Sequence, residues 1–341
     1  MSTGADQLSR LVAYGIDDED LLAGLTGDLA VVERAILDAV RSADPLAADA
    51  GSHLVRAGGK RTRPLLCLLA SRLGEPSPLV TDAAVVVELT HLATLYHDDV
   101  IDSATQRRGV PTAQEVWGNT VAILTGDLLF ARASTIGAGL GPEAVHIQAT
   151  TFERLVLGEM RETVGPAPGQ DPVEHYIGVL SDKTGSLIAT SARFGGMFSG
   201  ADGQTLQVLV DYGEKVGVAF QLADDVLDLV GDHADSGKTP GTDLREHVPT
   251  MPVLLLRRAL AAGTAPEGSA ELLELLDADL SDDARLAEAV ALLRAHPVTA
   301  EARAVALRWA ADAVAALEPL PDLPATRALA AVAEALADRS R

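Results

Sequence analysis

The chain has 341 residues, nearly half of them hydrophobic, so it can bury a substantial core. Only 3% are aromatic while Ala and Leu abound and Gly-rich hairpin dipeptides are scarce, which favours an all-α protein. A formal net charge of −22 argues against nucleic-acid binding, so any anionic substrate must be held by a local concentration of cations.

Residues 1–45 read as an N-terminal helical lead-in with an acidic patch at Asp17 to Asp20, followed by one larger domain over residues 46–341. The stretch Met1 to Arg10 is polar and lacks the basic-then-apolar order of a signal peptide. No uninterrupted apolar run reaches bilayer length, so the expected chain has no transmembrane segment and is cytoplasmic. Gly58-Gly59-Lys60-Arg61-Thr62-Arg63-Pro64 then places three cations beside two glycines just before an apolar helix. Cations are disfavoured at a helix start, and that mismatch points to an anionic ligand such as a phosphate. The single cysteine, Cys67, sits in a run of leucines and is expected in the core without a disulfide.

The apolar run Ala83 to Tyr96 leads into Asp98-Asp99-Val100-Ile101-Asp102, and Val216 to Ala223 leads into Asp224-Asp225-Val226-Leu227-Asp228. On a helix, positions i and i+4 share a face, so Asp98 stands over Asp102 and Asp224 over Asp228. Like charges stacked this way repel, and next to buried segments the repulsion calls for a cation between them. Oxygen-only ligands favour Mg2+, which commonly shares its shell with substrate phosphates. Arg107-Arg108-Gly109-Val110-Pro111-Thr112 begins just after the first motif, placing two arginines where they could meet the same phosphates. Lys183-Thr184-Gly185 and Gly237-Lys238 are further cationic groups. Gln221 lies one turn before Asp225, and His91 two turns before Asp98, each readable as a core side chain or as a polar contact to ligand.

Helical periodicity is interrupted only by short Gly/Pro-rich segments, at Arg107 to Pro111, Gly165 to Pro172, Gly231 to Gly241 and Leu317 to Pro324. No strand-like alternation is long enough to make a sheet. The expected architecture is a single-domain bundle of many helices around a central cavity, with the Ala/Leu-rich helices beyond about residue 260 serving packing.

Taken in order, these motifs together with Gly126-Asp127 resemble those of the trans-isoprenyl diphosphate synthases, the polyprenyl synthetase family, over roughly residues 50 to 255. The resemblance implies the isoprenoid synthase fold, a homodimer, three Mg2+ ions, and condensation of isopentenyl diphosphate with an allylic diphosphate. By position it implies that Lys60, Arg63, His91 and Arg108 hold isopentenyl diphosphate, while Arg107, Lys183 and Lys238 contact the allylic diphosphate. Asp98 and Asp102 would ligate two of the ions and Asp224, with Asp228, the third; Thr184 and Gln221 would turn oxygen dipoles toward the allylic cation. One departure is that many relatives have Gly-Lys after the Asp243-Leu244-Arg245-Glu246 segment, whereas this chain has His247-Val248. Small residues one turn before Asp98, Ala93 and Thr94, with Leu89 as a deeper floor, imply a product of roughly thirty to fifty carbons, as in a quinone side chain. A twenty-carbon product, a terpene cyclase and a non-catalytic synthase-like subunit are the alternatives.

Overall fold

The structure is a computed structural model that describes residues 9, 11–230 and 241–338. The described chain is helical almost throughout, with helices α1 (Glu19–Ala39), α2 (Pro45–Arg56), α3 (Thr62–Ala70) and α4 (Leu79–Ile101) forming its first part. A two-strand ribbon, β1 (Gln106–Arg107) and β2 (Val110–Pro111), precedes α5 (Ala113–Trp117), α6 (Asn119–Leu140), α7 (Pro142–Val164) and α8 (Pro172–Leu180). A π-helical turn over Ser181–Gly185 leads into α9 (Ser186–Phe198) and α10 (Gly203–Val230). The remainder is α11 (Thr242–Arg245), α12 (Met251–Ala261), α13 (Ser269–Leu276), α14 (Asp283–Ala295), α15 (Pro297–Ala316) and α16 (Pro324–Ala337).

The abundance of aspartate has a local cause at several helix starts. Asp18, Asp44, Asp171 and Asp282 are N-caps whose carboxylates accept backbone N–H bonds, for example from Leu21 N at 2.8 Å and Ala47 N at 2.9 Å. Part of the acidic patch at Asp17 to Asp20 therefore serves to begin α1.

Helix α4 is apolar on nearly every side, the pattern of a helix enclosed by others, and its residues from Ala83 to Thr90 are all buried. Around it, Leu25, Leu29, Val32 and Ile36 of α1 join the leucines of α3, the inner face of α9 and the last helix in one hydrophobic core. A second core is formed by α12 to α15 with α8. Helix α10 runs through both, contributing Leu209, Tyr212 and Val216 to the first and Leu222, Val226 and Leu229 to the second. The two acidic motifs thus lie on the two helices that organise the molecule.

Two details differ from the reading of the sequence. The break at Arg107 to Pro111 is a hairpin, with Gln106 opposite Pro111 and Arg107 opposite Val110. Its two turn residues, Arg108 and Gly109, both have positive φ (55° and 75°), as a type I′ turn requires. Second, although uninterrupted apolar runs are short, α4 and α6 are long and apolar enough on average to cross a membrane. Helix α4 earns that composition as a core helix, with 67% of its most apolar window buried; α6 is only 33% buried.

Candidate active site

Both acidic motifs fall at helix C-termini. Asp102 is the C-cap of α4, Asp228 lies in the last turn of α10, and neither helix has a basic residue in that turn. The macrodipole makes these ends partly negative, so added carboxylates are doubly disfavoured there unless a cation arrives. Within each motif the middle aspartate turns inward. Asp99 is fully buried and accepts from Arg107 Nε at 2.7 Å, while Asp225 is 3% exposed and accepts from Tyr176 Oη at 2.8 Å and Met251 N at 3.1 Å. Burial raises both carboxyls above the ordinary range, Asp225 strongly, despite these donors. The flanking Asp98, Asp102, Asp224 and Asp228 remain in contact with solvent, as the helical spacing implied.

Among the flanking carboxylates, Asp98 is crowded. Loss of water and then the nearby Glu159 and Asp102 push its pKa up to about 7, with Lys183 and Arg107 opposing. A hard divalent cation would relieve that crowding, and every donor available is a carboxylate oxygen, so the residues fit Mg2+. Among the described residues no three His, Cys, Asp or Glu side chains already converge on one point, so such an ion would draw the rest of its shell from phosphate and water.

Lys183 stands near the first motif, where its charge opposes the rise in the Asp98 pKa. It donates to Glu159 Oε2 at 2.8 Å and to Glu162, both on α7, and these carboxylates raise its pKa against the effect of burial. Glu159 adjoins Asp98, while Glu162 adds to the burial and Asp225 effects that hold Tyr176 well above its usual value. Next to Lys183, Thr184 Oγ1 donates to Gln221 Oε1 at 3.4 Å, one turn from the second motif. This approach depends on glycine at a helix crossing, since a Cβ on Gly217 of α10 would lie 2.4 Å from Gly185 Cα. The π-turn is itself gripped by Arg154, which donates to Asp182 Oδ1 at 2.8 Å and Glu214 Oε2 at 3.1 Å. The sequence reading missed Glu159, Glu162, Arg154 and Tyr176, because none sits in a motif.

Two turns back along α4, the surroundings of His91 are cationic. His91 is partly buried, and loss of water together with Arg63, Arg108, Arg107 and Arg61 hold its imidazole well below the ordinary pKa. Arg63 is lowered to about 10, by burial first and by Arg108 in addition, against Glu88 and Asp98. Arg108 donates to Leu54 O at 2.9 Å and to Gly58 O, so the hairpin turn is fastened to the end of α2 and its guanidinium lies over Gly59. Burial lowers Arg108 as well. Three of these guanidinium groups, Arg63, Arg107 and Arg108, make the surroundings of His91 suited to an anion.

Of the three cations in Lys60-Arg61-Thr62-Arg63, Arg61 faces the other way. It is 6% exposed, donates from Nη1 to Glu88 at 2.8 Å and from Nη2 to Val55 O at 3.1 Å, and has Nε 3.5 Å from Glu33 of α1. Breaking such a buried pair by removing one partner costs about 3–5 kcal/mol. Lys60, by contrast, is exposed.

The remaining candidates, and His97 just before the first motif, fall as follows. His97 has Nε2 3.3 Å from Asp127 Oδ1, and Gly126 permits this packing, since a Cβ there would meet His97 Nε2 at 2.3 Å. Ala93 and Leu89 are fully buried and Thr94 is partly buried. Thr94 shares the Asp98 face, whereas Ala93 is turned toward α6, its carbonyl 3.0 Å from where a Gly126 Cβ would stand. His247 adopts φ 55°, in the left-handed region that favours glycine. Lys238 lies outside the described residues.

Comparison with known proteins agrees in sequence and in fold. A model of the polyprenyl synthetase family matches residues 44–293. The nonaprenyl diphosphate synthase of Mycobacterium tuberculosis is 47% identical over 328 residues, covering 95% of this chain and 96% of that protein. The crystal structure of a decaprenyl diphosphate synthase from Rhodobacter capsulatus superimposes with a TM-score of 0.84 at 35% identity, covering 95% of this chain and 99% of that one. That of a geranylgeranyl pyrophosphate synthase from Corynebacterium glutamicum, complexed with calcium and isoprenyl diphosphate, gives 0.83 at 41% identity, covering 95% and 98%.

Proposed function

The chain belongs to the polyprenyl synthetase family and is a trans-prenyltransferase, and from that premise we propose that it condenses isopentenyl diphosphate with an allylic diphosphate in a Mg2+-dependent reaction. The observation that carries the proposal is Lys183, clasped by Glu159 and Glu162 near the crowded Asp98, with Arg63, Arg107 and Arg108 gathered near His91, on the same helix as Asp98. An acidic region with a lysine beside it, and a second region rich in arginine, suit two diphosphates held apart, which a terpene cyclase would not need.

In this reading Asp98 and Asp102 would hold two Mg2+ ions and Asp224, with Asp228, the third. When bound, the ions offset charge on the departing diphosphate. A relative was crystallised with calcium, and an all-carboxylate site takes either cation. Arg107 and Lys183, with Lys238, orient the allylic diphosphate; Lys183 exchanges its Glu159 and Glu162 partners for phosphate oxygens, adding electrostatic stabilisation as the C–O bond ionises. Thr184 and Gln221 present oxygen dipoles to the allylic cation without being strong nucleophiles, and apolar walls exclude water. Lys60, Arg63, His91 and Arg108 hold isopentenyl diphosphate so that its double bond reaches that cation, and the released diphosphate takes the proton.

We further propose a product of thirty to fifty carbons, made by a homodimer in the cytoplasm. The small side chain of Thr94 on the Asp98 face, with Ala93 small beside it on the side toward α6, supports the length, and twenty carbons is the second reading. Incubation of purified protein with isopentenyl diphosphate, Mg2+ and primers of five to twenty carbons, followed by chromatography of the products, tests this. Prenyl chains beyond twenty carbons are expected. Products ending at twenty would select the second reading, and no extension of any primer would overturn the assignment.

A further inference from the structure

We infer that Arg61 is a positioning residue for the homoallylic diphosphate site, locking the Lys60–Arg63 loop against α4 so that Lys60 and Arg63 face the ligand. The inference rests on the reading of that loop as the isopentenyl diphosphate site.

Three observations converge on it. Arg61 is the N-cap of α3 in a left-handed backbone conformation (φ 53°, ψ 34°), one that an L-residue adopts only when its surroundings impose it. No side chain caps the helix there, so the conformation is not fixed by an N-cap bond. The guanidinium supplies the restraint: it reaches Val55 O at 3.1 Å and Gly58 O at 3.3 Å on the N-terminal side of the loop, and Glu88 Oε1 at 2.8 Å on α4.

Second, Glu88 lies on the helix that bears His91 and Asp98, three and ten residues further on. The Arg61–Glu88 contact therefore sets the loop in register with the acidic end of α4, and hence fixes the separation of the two phosphate regions. Third, the loop has a further fastening through Arg108, which donates to Gly58 O from the hairpin. Arg61 holds the loop from beneath and Arg108 holds it from the ligand side. A turn of the backbone at Arg61 would exchange which of the adjacent cations faces the ligand, because successive side chains at a helix start point in divergent directions.

A purely structural role would lower stability without distinguishing the substrates. Arg61→Met and Arg61→Lys are compared with the double variant Arg61→Met/Glu88→Met, which removes both charges of the 2.8 Å pair, leaves the more distant and partly exposed Glu33 to be solvated, and can restore stability without restoring the loop's anchor. Arg61→Met is expected to raise KM for isopentenyl diphosphate about tenfold or more with KM for the allylic substrate changed by less than about twofold. Arg61→Lys, which can meet Glu88 but not both carbonyls, should fall between. The double variant should regain the thermal midpoint and keep the raised KM. A parallel rise in both KM values, or recovery of KM together with the midpoint, would overturn the inference; if Arg61→Met does not fold, the double variant decides. Absence of condensation in the parent protein would instead sink the functional proposal. In that case calorimetric titration with inorganic pyrophosphate in metal-free buffer still tests the loop: weaker binding by the double variant supports it, unchanged binding removes it.

Discussion

At the scale of single residues, the ionisation of Asp98 gives the sharpest expectation. Its carboxyl, pushed up to about 7 by burial and its acidic neighbours, has an unfolded value near the ordinary aspartate value of about 3.9. A raised folded value favours the protonated form, so the stability it confers is full below about pH 4 and is lost as pH rises through 7. A divalent cation should reverse that loss by pairing with the ionised form. The gain in melting temperature from added Mg2+ should therefore be larger at pH 8 than at pH 5.5, and Asp98→Asn should flatten the difference; equal gains in the parent protein at both pH values would exclude Asp98 as the ligand that matters. The cations offer a second test. Lys60→Ala or Arg63→Ala should mainly raise KM for isopentenyl diphosphate, whereas Arg107→Ala, freeing Asp99 from its 2.7 Å partner, should act on the allylic substrate. If all three variants affect both substrates alike, the two sites are not divided in this way.

At the scale of elements, the site depends on how closely α10 meets the π-turn. A methyl group on Gly217 would stand 2.4 Å from Gly185 Cα, a backbone atom that no rotamer change can move aside. Gly217→Ala should cost about 1–3 kcal/mol and pull Thr184 away from Gln221, lowering kcat more than it raises either KM. Activity equal to the parent's, measured well below the melting temperature, would show that this crossing does not position the site. Helix α4 also sets a length scale, since one turn of about 5.4 Å is close to one isoprene unit. Ala93→Phe should shorten the product toward fifteen or twenty carbons with condensation retained. Thr94→Phe, on the Asp98 face itself, is the companion variant, and a product distribution unmoved by both would mean that the chain does not grow along α4. The legible part of all this was periodic: apolar runs ending in spaced aspartates announced two helices and which aspartates share a face. What was not legible depends on partners distant in sequence. Nothing local in Lys60-Arg61-Thr62-Arg63 says that the second cation turns inward to Glu33 and Glu88, and Lys183 gives no sign that Glu159 and Glu162 will clasp it. The hairpin was read only as a break, because its Arg108-Gly109 turn lies between strands of two residues each.

At the scale of the whole molecule, the surface of α6 and α7 is the feature that a single chain leaves unexplained. Helix α6 is apolar enough on average to cross a bilayer yet only a third of its most apolar window is buried, and Ile123 and Leu124 are 42% and 59% exposed. On the adjoining α7, Val145, Val156, Leu157 and Met160 are exposed as well. A bilayer is a poor match for this face, because Asp127 is exposed on α6 and Glu153 on α7 beside those apolar residues. A second copy of the chain is a better one, since a twofold axis brings the same mixed patch against itself and lets each apolar stripe cover the other. A homodimer through α6 and α7 is therefore expected, with the active site of each protomer backed by helices of the shared interface. Leu124→Glu would set a charge in the middle of the contact and should convert the dimer to monomer at micromolar concentration, with lowered activity that returns as protein concentration rises. Light scattering of the parent protein that gives a monomer with full turnover would dispose of the idea. A dimer that Leu124→Glu leaves intact would move the interface to another face.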